Sequence, residues 1–210
     1  MGEPEFLIVY HEPGDPSEHR RVQELAARIR ELAGVELEAI PLREFKRCSR
    51  CRRVYLLMFT RGGHWLSLRE KGVNAAHIPP SVTAAAVAEE LERRGLDRVM
   101  LVALKARRLV RGQSEDLELI ARLLQARGLR AEARILDSLE PPERPETREP
   151  VAPVALLAGR LVRAACMLTK GPCLGPFIDY GWWHLLAWIT SDIRAGLGEN
   201  PGGPRRAPRG

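Results

Sequence analysis

The chain has no apolar run approaching the 18 or so residues that a membrane-spanning helix needs. Its longest C-terminal apolar stretch, Trp182 to Thr190, is short and interrupted by His184. No basic segment followed by an apolar core opens the sequence, so the expectation is a cytoplasmic protein with no membrane partner. Aromatic residues make up only 5% of the chain, and four cysteines occur in 210 residues. There is no Gly-x4-Gly-Lys-Ser/Thr phosphate loop, no Gly-x-Ser-x-Gly elbow and no His-Glu-x2-His pair. After the first apolar run there is also no glycine-rich dinucleotide loop. These absences set aside nucleotide hydrolysis, α/β-hydrolase chemistry and zincin-type proteolysis.

What is present suits a soluble α/β protein. Hydrophobic residues account for 45% of the sequence and charged residues for 29%, with a net charge of +6 carried mostly by arginine. Many arginines alternate with glutamate, as in Glu89-Glu90-Leu91-Glu92-Arg93-Arg94, which reads as a solvated, ion-paired helix face and fits a chain built for high temperature. The excess charge suits anionic partners in general, a polycarboxylate or a nucleic acid among them.

Phe6–Tyr10 is a continuous apolar run, the mark of a strand buried on both faces. A turn containing Pro13-Gly14-Asp15 and a helix over 18–32 follow, with Val22, Leu25, Ala26 and Ile29 on one stripe. Further strands are predicted at 35–40, 54–59, 99–104 and 131–136, with helices at 81–94 and 115–126 between them. Such alternation predicts a doubly wound, mostly parallel sheet over residues 1–140. The pattern of residues 6–40 recurs weakly over 99–136, with His11 falling opposite Ala103 or Leu104. Residues 141–153 read as a proline-rich linker, 154–197 as a helical C-terminal extension, and 198–210 as a disordered tail.

Two histidines fall where such folds do chemistry. His11 immediately follows the first strand, and His64 lies five residues beyond Phe59. Parallel sheets bind ligands beyond the carboxyl ends of their strands, so the two imidazoles are expected to share one cleft. Neutral imidazole ligates ions such as Co²⁺, Ni²⁺, Fe²⁺ or Zn²⁺ and also accepts protons. Glu12 could add a carboxylate, and His77 is an alternative ligand otherwise read as part of a surface loop.

The run Phe6-Leu7-Ile8-Val9-Tyr10-His11, and the later Val54-Tyr55-Leu56-Leu57-Met58-Phe59-Thr60-Arg61-Gly62-Gly63-His64, resemble the two histidine motifs of the sirohydrochlorin cobaltochelatase family of class II chelatases. The short archaeal members are the nearest match, and the likeness covers about residues 5–140. Glu12-Pro13-Gly14 stands where the family has Gly-Ser, and the connection before the second motif is shorter than the family's. The Ile/Leu-Pro that the family places soon after its second histidine is echoed only at His77-Ile78-Pro79. The resemblance implies ATP-independent insertion of cobalt or nickel, as substrate, into sirohydrochlorin or a related tetrapyrrole. His11 and His64 would hold the ion and take up protons, with Glu12 assisting. Arg61, Gly62 and Gly63 would meet the macrocycle, with Arg69 and Lys105 as further cations for its carboxylates. Short members act as half of a two-lobed enzyme, which implies a homodimer.

Two other readings stand beside this one. A non-catalytic carrier of metal or tetrapyrrole would use the same cleft. A nucleic-acid-binding module would use the arginines and a bound zinc. Cys48 and Cys51 form a C-x2-C pair that, with Cys166 and Cys173, could supply four thiolates to zinc or an iron–sulfur cluster. Independent reduced thiols are the simpler expectation in a cytoplasmic chain. The Trp182-Trp183-His184-Leu185-Leu186-Ala187-Trp188 cluster reads as a packing face, with a lid over a flat macrocycle as the alternative.

Overall fold

The computed structural model describes residues 4–12, 16–46, 48, 51–105, 110–140, 142 and 144–198. The turn at Pro13-Gly14-Asp15 and nearly all of the C-terminal tail lie outside them. The order of elements is β1 (Phe6–Tyr10), α1 (Pro16–Ala33), β2 (Leu37–Pro41), β3 (Arg53–Leu56), α2 (Gly63–Glu70), β4 (Ala75–His77) and α3 (Pro80–Arg93). Then come β5 (Arg98–Leu104), α4 (Val110–Gln125), β6 (Arg130–Leu136), β7 (Val151–Pro153), α5 (Arg160–Met167) and α6 (Ile178–Gly196).

The alternation of strand and helix yields the parallel α/β architecture the sequence predicts, but the strands divide between two sheets. The first has the order β2-β1-β3-β4 and the second β6-β5-β7, and every pairing is parallel. β1 is central, which explains its unbroken apolar run. Phe6, Ile8 and Tyr10 face the core shared with α1 and α6, while Leu7 and Val9 face the cluster under α2. Burying both faces removes the alternation that a solvated strand shows.

The weak internal echo is a structural repeat. Leu57 donates to Val9 O in the first lobe, and Val154 donates to Val102 O in the second, at 2.8 and 2.7 Å. In this register His11 corresponds to Leu104 and His64 to Leu161. The parallel between lobes extends further, since Val54 pairs with Ala75 and Val151 bridges Cys173. Residues 151–153, inside the stretch read as a linker, are β7, and α5 and α6 complete the second lobe. Both lobes are present in one polypeptide, so the chain is not the single lobe from which a homodimer is expected.

The lobes exchange their last helices. α3 leaves the first sheet and packs on α4 of the second lobe, while α6 leaves the second lobe and packs on α1. Ala84, Val87 and Leu91 of α3 share a core with Val99, Leu101, Ile120 and Leu124. Ile178, Leu185, Ile189 and Ile193 of α6 share one with Ile8, Leu25 and Ile29. Neither lobe completes its core without the other's helix. The tryptophan cluster serves this packing. Trp188 meets the Tyr55 ring edge-on at 5.6 Å, and Trp183 points outward. Glu90, read as part of a solvated face, is instead buried. Hydrogen bonds first from Arg93 and then from Arg94 hold its carboxyl below the usual range.

The cysteines correct two expectations. Cys48 pairs with Cys51 and Cys166 with Cys173, with Cα–Cα separations of 5.4 and 5.3 Å. Among the described residues no free thiol remains. The four sulfurs therefore do not form one zinc or iron–sulfur site, and the zinc-dependent nucleic-acid reading loses its metal. The Cys166–Cys173 bridge ties the end of α5 to the segment beside β7. Its closed loop is short, so Cys166→Ser/Cys173→Ser is expected to lose about 2.5 kcal/mol by chain-entropy reasoning. Thermal unfolding with and without reductant checks this, and thiol titration of the unreduced, denatured protein should find no reactive cysteine.

Candidate metal and tetrapyrrole site

β1 and β3 are neighbours in the first sheet, and each delivers one histidine beyond its carboxyl end. His11 is the first residue after β1. The chain leaves β3 at Leu56, turns through Thr60 and Arg61, and starts α2 at Gly63, so His64 sits in the first turn of that helix. The two rings lie edge-to-face with centroids 5.8 Å apart. Metal–nitrogen bonds of about 2.1 Å would place an ion roughly 3 Å from each centroid. The observed separation is within the span of one shared ion.

Partial burial lowers the pKa of His64 below its ordinary value, and the neighbouring His11 lowers it further. The positive end of α2 works in the same direction. His64 is consequently kept neutral, the form that binds a metal ion or accepts a proton. Among the described residues no group of three or more His, Cys, Asp or Glu side chains is placed to hold a metal. A two-imidazole site leaves most coordination positions of an ion open to exchange, as delivery to another ligand requires.

The histidines open into a cleft of about 400 Å³ whose wall includes Glu12, Arg43, Phe45, Ser67 and Lys71. Glu12 is ion-paired to Arg43 at 2.6 Å, which fixes its carboxylate on the rim. Arg43, Phe45 and Lys71 were not singled out by sequence. They come from the connection after β2 and from the end of α2, and no local pattern marks either as part of a site.

Arg61 is not available in the way expected. Its Nε and terminal nitrogens bind Asp116 at 2.9 to 3.2 Å, and a second bond reaches Glu115. It is a structural cation, held by the second lobe. Gly62 is the N-cap of α2 and Gly63 its first residue, so both shape the approach to His64. Lys105 is paired with Asp137, and Arg69 lies over the Trp65 ring. His77 ends β4 rather than lying in a surface loop. It is half-buried, edge-on to Trp65 and 3.7 Å from Asp116. Burial is the main cause that lowers its pKa.

No family model and no curated protein sequence matches the chain. Solved structures do. CbiX, described as the terminal enzyme for siroheme biosynthesis in denitrifying bacteria, superposes with a TM-score of 0.57 at 22% identity, over 91% of this chain and 99% of CbiX. SirB from Bacillus subtilis with Fe³⁺ gives 0.59 at 15% identity, over 92% and 97%. The sirohydrochlorin chelatase SirB from Bacillus subtilis subspecies spizizenii, in complex with cobalt, gives 0.54 at 14% identity, over 91% and 96%. At 91–92% of the chain the likeness takes in both lobes and extends well past residue 140. Over about nine-tenths of its length, the chain has the fold of the sirohydrochlorin chelatases.

Proposed function

We propose that this protein is a class II chelatase that inserts a divalent metal ion, cobalt or nickel, into sirohydrochlorin or a related tetrapyrrole without ATP. The observation that carries this reading is the His11–His64 pair, 5.8 Å apart at the carboxyl ends of adjoining parallel strands. The shared fold of CbiX and SirB supports it.

Insertion exchanges one M²⁺ for two pyrrole N–H protons. The ion must therefore be held by few ligands and then released, while nearby bases take up protons as they leave. Two imidazoles suit both tasks, because each histidine freed of the metal becomes a proton acceptor. Glu12 gives the rim a carboxylate that can pass protons towards solvent. Lys71 has no carboxylate partner among the described residues and borders the cleft, so it suits an acidic side chain of the macrocycle.

Lys71→Glu is expected to raise the KM for the tetrapyrrole severalfold, the effect of a like charge facing the substrate. Its KM for Co²⁺ should stay within about twofold, and steady-state assays separate the two constants. The function itself is tested by mixing the protein with sirohydrochlorin and Co²⁺ or Ni²⁺ and following tetrapyrrole absorbance. Acceleration over the protein-free reaction is the expected result. Binding of metal and tetrapyrrole with no acceleration would identify a carrier instead.

A further inference from the structure

Arg61 stands directly before the N-cap of α2, three residues ahead of His64. Its main-chain N–H donates to Asp116 Oδ2 at 2.6 Å, and its Nε donates to Asp116 Oδ1 at 3.0 Å. Asp116 belongs to α4, in the opposite lobe, and is only 3% exposed. Gly62 offers no side-chain cap, so the first turn of α2 draws no local support from its own N-cap residue. The same carboxylate lies 3.7 Å from His77 Nε2, and the His77 ring abuts Trp65, the residue after His64. Asp116 therefore holds the chain just ahead of His64, through Arg61, while His77 Nε2 lies too far from the carboxylate for a hydrogen bond.

The energetics favour a rigid grip. A carboxylate with so little exposure is tolerated because Arg61 neutralises it and supplies bonds to both oxygens. Hydrogen bonds to an ionised acceptor are roughly twice as strong as neutral ones. By the register of the two lobes, the second carries Leu104 and Leu161 where the first carries its histidines. What the second lobe contributes instead is this anchor.

The geometry points to Asp116 as a positioning residue of the metal site, a group of the second lobe that fixes the start of α2 and so holds the His64 imidazole opposite His11. This rests on the reading of His11 and His64 as the pair that receives the metal. Asp116 acts through Arg61 and is not itself a ligand.

The test is Co²⁺ titration of the full chain without tetrapyrrole, read by visible absorption, together with steady-state kinetics. Asp116→Ala is expected to weaken Co²⁺ binding by about tenfold or more, the usual consequence of losing a group that orients a ligand. The KM for Co²⁺ should rise while that for the tetrapyrrole does not, a split that general loosening of the fold would not produce. Asp116→Asn keeps the size and an acceptor for the Arg61 N–H. It loses the charge that pairs with Arg61, so a smaller, severalfold loss of affinity is expected, and this variant carries the test if the alanine variant does not fold. Wild-type Co²⁺ affinity and spectrum in the folded Asp116 variants would overturn the inference. Wild-type affinity in His64→Ala would instead overturn the functional reading on which it rests.

Discussion

Replacing either His11 or His64 with alanine is expected to slow metal insertion by about two to four orders of magnitude, the range for loss of a positioned base. The two rings form one site, so the double variant should be little slower than either single one, because groups acting as a unit are not additive. Near-additive losses would mean that the histidines act at separate steps. Activity within twofold of wild type in both single variants would remove the catalytic assignment. The pH profile offers an independent check. His64 binds metal only when neutral, and its pKa is depressed by burial and by His11. The acid limb that His64 contributes should therefore lie below about pH 6.5, the ordinary histidine value. Above that limb the rate should be level with respect to His64. A limb displaced to higher pH would contradict the desolvated setting of this ring.

Much of this arrangement is legible in the sequence, for local reasons. Phe6–Tyr10 announces a strand covered on both faces, and the stripe of Val22, Leu25, Ala26 and Ile29 announces the helix that covers one of them. The position of His11 and His64 at strand ends follows from the same periodicity. What the sequence does not show depends on contacts between residues distant along the chain. Periodicity shows each strand's type but not its partners, so the sequence predicts one sheet where the fold has two. β4 is only Ala75–His77 and lacks β-branched residues, while β7 ends on Pro153 at the close of a proline-rich stretch. Both are held in place by strand pairing and not by propensity. Arg61 reads as a free cation in the sequence because Asp116 is 55 positions away. Compartment alone predicts free thiols, whereas the fold sets the paired cysteines at Cα–Cα separations of 5.4 and 5.3 Å. Those lie within the span that a disulfide can bridge.

Gly181→Ala should be among the most destabilising single-methyl additions in the molecule. Gly181 lies one turn into α6, and a Cβ there would overlap the ring of Phe177. That ring is 1% exposed. It packs edge-on against Phe59 at 4.9 Å and against Tyr180 at 5.2 Å. Alanine is the better helix former by about 1 kcal/mol, so on propensity alone the change would stabilise α6. The overlap opposes this, because overpacking a filled core typically costs about 1–3 kcal/mol and can cost more. We expect the steric term to win, lowering Tm by roughly 2–8 °C in a chain of this size. The site should register the change as well. Phe59 opens the turn that leads through Arg61 to His64, so displacing Phe177 disturbs that turn from beneath. Co²⁺ affinity is therefore expected to fall together with Tm, and pairing Gly181→Ala with Phe177→Leu, which makes room for the methyl, should recover part of both. A Gly181→Ala protein at least as stable as wild type would show that Phe177 can turn aside, and that the exchanged helix is packed more loosely than its buried ring implies.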